Sequence, residues 1–340
     1  MAVLSTGQLT LADHAKRLDP DGKVPAVAEL LSQTNEILED MVFVPGNLPT
    51  GHRVVIRTGL PTIYYRALNQ GVPTSKSQTT QVDEQIGMLE ARSHIDAKLM
   101  DLAEDKDGFR LSEDSAFIEA MNQAQAQGVF YGNPATDPRQ YLGLMPRYGV
   151  ISGAGNAANI IDAGGTGTDN ASIVLVGWGE STAFGIFPKG SRAGLQVRDL
   201  GEDDVLDSNG NTYRAVKSLY QWDNGLVVKD WRYIVRICNI DVSDLVGQTG
   251  TQAASAATVI INLMARAVDR LPSRGMCRPA FYMNRTMHSM LRIAAMNKTS
   301  NVLAIEQGLN QFGQSHSWTS FDGIPLRKVD ALLNSEARVV

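Results

Sequence analysis

Between Gly46 and Val82 the chain carries Arg53, Arg57, Arg66 and Lys76 and not one acidic residue. This stretch limits the fold more than any other, because it has no face apolar enough to bury. His52–Thr58 and Thr62–Leu68 are rich in β-branched and aromatic residues, with Gly59-Leu60-Pro61 breaking them, so the pattern predicts a β-hairpin. Arg53, Val55 and Arg57 fall on one side of its first strand, and Val54, Ile56 and Thr58 on the other. The remainder, Gly71–Gln81, is a polar Ser/Thr/Gln tract around Lys76. A two-stranded hairpin alone is marginal in water, so this one is expected to lie on another surface.

The next segment has the opposite sign. Asp83–Asp107 holds eight acidic and three basic residues. Ile95, Leu99 and Leu102 recur at helical spacing and predict a long helix over Val82–Ala103, ended at Asp107-Gly108. A second helix is predicted over Ser112–Gln127, with Ser112 as N-cap, Glu113 and Asp114 in the first turn, and Gly128 as the stop. Upstream, Val27–Leu38 is a candidate short helix in an arm with little core of its own. Residues 131–172, rich in Gly, Pro and Asn, read as loops with short strands. Ser172–Asn239 reads as almost wholly β, with hairpin turns at Asn209-Gly210 and at Asp223-Asn224-Gly225 and a long strand from Leu226 to Ile240. Helices are predicted over Gln252–Leu271 and, capped by Asn284, to about Asn297. A strand at Ala280–Met283 lies between them, and Trp318–Val340 forms strands around Asp322-Gly323.

Composition sets outer bounds. The chain has 340 residues, enough for roughly two domains, with 43% apolar and 20% charged residues. A formal net charge of -5 argues against a general nucleic-acid binder, which usually shows a basic excess. Cys238 and Cys277 are far apart and form no CxxC pair, so a reducing cytosol is the expected site of synthesis. MAVLSTGQLT lacks a basic region followed by an apolar run, and no apolar run approaches the ~18 residues of a membrane span, so neither signal peptide nor membrane partner is expected.

The search for chemistry returns little. Gly153–Ala158 fits the G-x-G-x-x-A fingerprint, but Ile160 and Ile161 run straight into a glycine-rich segment that cannot continue a helix, so it reads as a loop. Gly179–Ala183 approximates a nucleophile elbow, yet Phe184–Pro188 continues as strand, which leaves Ser181 an ordinary turn serine. His14, His52, His94, His288 and His316 show no metal-ligand spacing. Asp207–Gly210 resembles a calcium loop, but Val205 stands at the first ligand position and a hairpin turn explains it better. Trp178, Trp222, Trp231 and Trp318 all sit on predicted strands, as core or interface anchors. No catalytic residue, cofactor site or metal site is assigned.

A series of short motifs, each weak alone, falls in a specific order. Arg57–Thr62, the Ser75–Ser77 tract, Gly87–Glu90, Leu111–Asp114 with Phe117, Phe130–Pro134 and Gly143–Tyr148 are followed by Val176–Gly179, Phe187–Gly190, Gly194–Asp199, Lys229–Tyr233 and Phe281–Arg285. Over about residues 50–340 this pattern resembles the major capsid proteins of tailed, short-tailed (podovirus-type) double-stranded DNA bacteriophages, which have the Hong Kong 97-type fold. The resemblance implies an α+β shell subunit with four parts. They are an N-terminal arm (1–45), an extended loop or E-loop (46–82), a peripheral or P domain with a long spine helix and long strands (83–130 and 173–245), and an axial or A domain (131–172 and 246–340). In the usual order of that family the axial helices precede the long peripheral strands. Here the strands precede the helices, which implies rearranged connectivity within the same shape.

The resemblance also implies partners: further copies of the chain as pentamers and hexamers, a portal protein, a separate scaffolding protein because no long helical segment precedes the arm, and a decoration or cement protein as a further candidate. Packaged DNA would be a non-specific neighbour, in a virion capsid assembled in the bacterial cytoplasm. From the charges themselves, the basic loop is expected to lie across the acidic helix of a neighbouring copy. Arg53, Arg57, Tyr64, Arg66 and Lys76 would be the contacts, and Asp83, Glu84, Glu90, Asp96 and Asp101 their acidic partners. A lysine–asparagine cross-link through Lys76 is not expected. Two rival readings remain, a nucleotide-dependent enzyme using Gly153–Ala158 and another self-assembling phage protein such as a decoration or tail subunit.

Overall fold

A computed structural model of the chain describes residues 32–340, except 104, 154, 208, 247–250, 297–302 and 310–314. Most of the expected N-terminal arm, with 27–31 of the expected Val27–Leu38 helix, lies outside the described residues, and the described residues 32–36 are not helical, against the expectation. The arm's visible end is one helical turn, α1 (Ile37–Asp40), followed by strand β1 (Phe43–Pro45).

The predicted basic hairpin exists, but with a different second strand. β2 (Gly51–Gly59) pairs antiparallel with β3 (Gln78–Gln85), and residues 60–77 form no strand. The expected turn at Gly59-Leu60-Pro61 is not formed. That tripeptide is where the strand ends and a long excursion begins. The expected helix over Val82–Ala103 is also overturned. Asp83 and Glu84 lie on β3, β4 runs from Gly87 to Asp96, and only α2 (Ala97–Leu102) is helical. The long helix is α3, Lys106–Tyr131, which contains the predicted Ser112–Gln127 helix and passes through Gly128.

Strand wins over helix at Gly87–Asp96 because a partner is supplied. β9 (Thr212–Val228) pairs with β4 from Gly87↔Asn224 to Asp96↔Ala215, and on its other edge with β8 (Gln196–Leu206). The turn between β8 and β9 is the predicted one at Asn209-Gly210, where the Asp207 carboxylate accepts the N–H of Asn209 and of Asn211. Asp223-Asn224-Gly225, by contrast, is no hairpin. β9 runs through it and changes partner, pairing its last residues with β7 (Ala183–Phe187). The expected strand Leu226–Ile240 is broken by a 3-10 turn at Trp231–Tyr233, and resumes as β10 (Ile234–Asp241). α3 lies on the three-stranded unit β4–β9–β8. Phe117 stacks on Tyr220 with ring centroids 5.2 Å apart, and Phe109 closes a small core with Ile95, Leu99 and Met100.

The rest of the chain builds around β6 (Asn170–Trp178), all nine residues of which are buried. It is flanked by β10 and by β11 (Arg278–Met283). Its near-continuous apolar sequence is what a strand covered on both faces requires. Ile173 and Leu175 face α6 (Thr251–Asp269) and α7 (Arg285–Met296) in one core, with Met264, Ala267, Phe281 and Leu291. Val174, Val176 and Trp178 face the other core, with Val129 and Phe130 of α3 and with Leu144, Met145 and Tyr148. Asn284 caps α7 as expected, its Oδ1 accepting the N–H of Met287 at 2.9 Å. Asp322-Gly323 turns β13 (Ser315–Phe321) into β14 (Ile324–Lys328), which lies beside β11. The expected division at 245/246 therefore cuts a single packed unit, since β6 and β10 share their core with α6 and α7.

Candidate assembly surface

The basic hairpin is anchored at one end only. Its root is buried: Val54 packs on Phe184, Ile186 and Val227, with Ile56 partly covered beside them. Asn47 grips the Arg53 backbone twice, its Nδ2 donating to Arg53 O at 2.8 Å and its Oδ1 accepting Arg53 N–H at 2.7 Å. Deeper still, Arg147 donates to both carboxylate oxygens of Glu84, at 2.7 and 2.6 Å, and to the carbonyl of Leu142. His52 packs edge-on against Phe184, and burial together with Lys229 lowers its pKa.

Past Gly59 the chain leaves the body. Every residue from Leu60 to Gln81 is exposed. Leu60, Ile63 and Leu68 are 81%, 89% and 94% exposed, and Tyr65 is wholly exposed. So many large apolar groups in one short excursion exceed the scattered exposure normal on a monomer.

The predicted contact residues separate into two groups. Arg57, Arg66 and Lys76 are exposed and make no ion pair among the described residues, although Arg66 Nε closes a local turn on Gln70 O at 2.9 Å. Tyr64 is half-exposed beside the more prominent Tyr65. Arg53 is a correction, because it is held within its own hairpin. The antiparallel register sets it opposite Asp83, and the pair closes at 2.6 Å. The Arg53 hydrogen bond holds the Asp83 carboxyl below its ordinary pKa.

The predicted acidic partners are likewise corrected. None of the five stands on the long helix, and each is engaged inside the chain. Asp83 pairs with Arg53, and buried Glu84 pairs with Arg147. Glu90 pairs with Arg92 at 2.8 Å and accepts from Gln221. Asp96 caps α2 by accepting Lys98 N–H, and Asp101 binds Lys106. The run of acids in sequence is thus no single acidic face.

Three features escaped sequence reasoning. Glu84–Arg147 is the buried lock at the hairpin root. Arg236 Nη2 donates to Glu336 at 2.8 Å inside the body, where Ser172 and Tyr131 also donate to that carboxylate. Asn224 is buried beside a surface cavity with both side-chain groups unpartnered among the described residues. Partners scores of residues apart leave no local signal. The one hint was a charged residue at an inward strand position, readable only once the strands are known.

Residues 19–340 match the family model described as major capsid protein GP7. No curated protein matches the chain. A near-atomic cryo-EM structure of bacteriophage Epsilon15 is 32% identical, with a TM-score of 0.75, and the match covers 100% of this chain and 99% of that one. The capsid of bacteriophage JBD30 is similar more remotely, at 9% identity and a TM-score of 0.46 over 89% of this chain and 92% of that one.

Proposed function

The chain belongs to the family of major capsid protein GP7, and from that premise we propose that its copies close, as pentamers and hexamers, into an icosahedral shell around a double-stranded DNA genome. It is a capsid subunit of the virion with the Hong Kong 97-type fold. No catalytic role is part of this reading. The observation that carries it is the excursion from Leu60 to Ser77, which has exposed apolar groups, cations that form no ion pair among the described residues, and no core of its own there.

In this reading the excursion is the extended loop and lies on a neighbouring copy, with Arg57, Arg66 and Lys76 supplying charge and Tyr64 covering apolar surface. The peripheral body is α3 with β4, β8 and β9. The axial body is the sheet around β6 with α6 and α7, because those elements share cores. This keeps residues 83–130 peripheral, but moves most of 173–187 and 234–245 to the axial side. A portal protein and a separate scaffolding protein are the partners such a shell calls for, with a decoration or cement protein as a further candidate, assembly in the host cytoplasm and packaged DNA as a non-specific neighbour.

Exposed ion pairs contribute only ~0.2–1 kcal/mol each, but a shell repeats them many times, and salt screens them. Negative-stain microscopy of the expressed chain, alone and with its scaffold, is expected to show capsomers or closed shells; tubes or small oligomers would overturn the reading. An Arg57→Glu, Arg66→Glu double variant is expected to disassemble at lower salt than the parent. Equal salt resistance would remove the loop from the interface.

A further inference from the structure

A cavity of about 270 Å³ lies between the start of β4, the C-terminal half of α3 and the segment 139–141. Tyr131, Tyr141 and Leu89 wall it, and exposed Met88, Ala124 and Gln127 surround its mouth. Tyr141 is fixed by Gln125 Nε2, which donates to its hydroxyl at 2.9 Å, and Tyr131 is fixed by Glu336. Asn224 also lines the cavity. It is 1% exposed, yet its Nδ2 and Oδ1 both lack a hydrogen-bond partner among the described residues. A buried carboxamide with neither group satisfied is costly, and a group that offers one donor and one acceptor together would satisfy both of its ends.

A peptide backbone offers that pair, and this chain already uses it twice. Asn47 holds the N–H and C=O of Arg53, and Asn239 holds those of Val339, at 2.8 and 2.9 Å. The same chain presents a peptide with no strand partner. Residues 60–77 form no strand, and Ile63 and Tyr65 project into solvent. The charge at the mouth permits the approach of Arg66, because Arg139 there is already held by Asp137 at 2.9 Å.

We propose that the cavity is the socket for the loop of a neighbouring copy: Tyr65 enters between Tyr131 and Tyr141, and Asn224 takes the loop backbone in the manner of Asn47 and Asn239. An aromatic ring gains from edge or offset contact with the two tyrosines beyond the area it buries. This rests on the reading that the loop lies on a neighbour and names the place where it lands.

The test replaces Tyr65, which is wholly exposed, with the photo-cross-linker p-benzoylphenylalanine in assembled particles made from a mixture of isotope-labelled and unlabelled chains. Irradiation and peptide mass spectrometry are expected to give adducts between chains, joining the loop to 87–89 or 124–141. Ala124→Arg, which lays a long side chain across the mouth from an exposed helix position, is expected to reduce those adducts at least tenfold. Adducts to another part of a neighbour, or adducts unchanged by Ala124→Arg, would overturn the socket and leave the overlapping loop standing. Adducts only within one chain, or none in assembled particles, would overturn both.

Discussion

Arg147 grips both carboxylate oxygens of Glu84, at 2.7 and 2.6 Å, at the point where the basic hairpin joins the body. The side chains are 13% and 8% exposed, and the pair spans two elements: Glu84 belongs to β3, Arg147 to the helical turn Leu144–Arg147. Removing one partner of a buried pair strands the other charge, which costs about 3–5 kcal/mol, whereas replacing both by apolar groups is often near neutral. Glu84→Ala is therefore expected to lower the thermal midpoint of the unassembled chain well below that of a Glu84→Leu, Arg147→Met double variant. Amide exchange in β2 and β3 is expected to quicken in Glu84→Ala, since the hairpin loses its lock to the body.

The second buried pair closes the C-terminal segment. Arg236 and Glu336 are each 6% exposed and 2.8 Å apart, and Arg236 also donates to the carbonyl of Tyr148 at 2.9 Å. Val339 is clamped by Asn239, and Ile151 N–H donates to Val340 O. The last residues are thus wired into the sheet and the α3 end. Glu336→Ala is expected to destabilise by about 3–5 kcal/mol in denaturant unfolding, because Arg236 remains buried without its counter-charge. A cost below about 1 kcal/mol would mean that water replaces the carboxylate there.

How far the sequence disclosed this architecture depends on whether the deciding partner was local. The Asn209-Gly210 turn, the Asn284 cap and the apolar stripe of α6 are fixed by neighbours a few residues away, and all were readable. Asp107-Gly108 misled because the same residues serve a different local structure. Asp105 is the N-cap of α3, its Oδ1 accepting Gly108 N–H at 2.9 Å, and a Cβ on Gly108 would stand 2.3 Å from Asp105 Oδ2. That glycine begins a helix rather than ending one. Asp223-Asn224-Gly225 misled for a tertiary reason. A Cβ on Gly225 would lie 2.5 Å from Gln85 O, so the glycine admits a crossing strand and makes no turn. Gly87–Asp96 is helix-prone by composition, and became strand because β9 offered it ten partners in register. Of the candidate surface, the exposed basic stretch past Gly59 was visible in the sequence, whereas the expectation that Gly46–Val82 has no face to bury fails at Val54, which packs on Phe184, Ile186 and Val227. The engagement of the expected acidic partners was not visible: Asp83 meets Arg53 through strand register and Glu84 meets Arg147 across the fold, while Glu90, Asp96 and Asp101 bind groups a few residues away once the strand and caps are known.

His288 gives a pH prediction with a definite sign. It is buried on α7, and burial, with Lys328 and Arg292 adding to it, lowers its pKa from 6.5 to about 4. Above pH 6.5 it is neutral in both folded and unfolded states and contributes nothing. As the pH falls from 6.5 towards 4, the unfolded chain takes up a proton that the folded chain refuses, so stability drops across that window and levels off below it. Acid unfolding followed by circular dichroism is expected to show this slope. His288→Gln is expected to flatten it, without matching the parent's stability at pH 8.

Three arginines of the basic loop make the final prediction a comparison. Arg53 is spent on Asp83, and with side chains 48% and 53% exposed that pair lies in the weak regime of surface ion pairs. Arg53→Ala is therefore expected to leave the stability of the unassembled chain nearly unchanged and the salt resistance of assembled shells unaltered. Arg57 and Arg66 form no ion pair with a carboxylate of their own chain among the described residues, and Arg66 makes only a local bond to Gln70 O there. Arg57→Ala and Arg66→Ala are each expected to leave the stability of the unassembled chain unchanged, while lowering the salt concentration at which shells come apart, by light scattering during salt titration. Salt resistance that falls equally in all three variants would mean that the loop acts through its net charge alone. A fall confined to Arg57 and Arg66 would mark those two positions as the contacts.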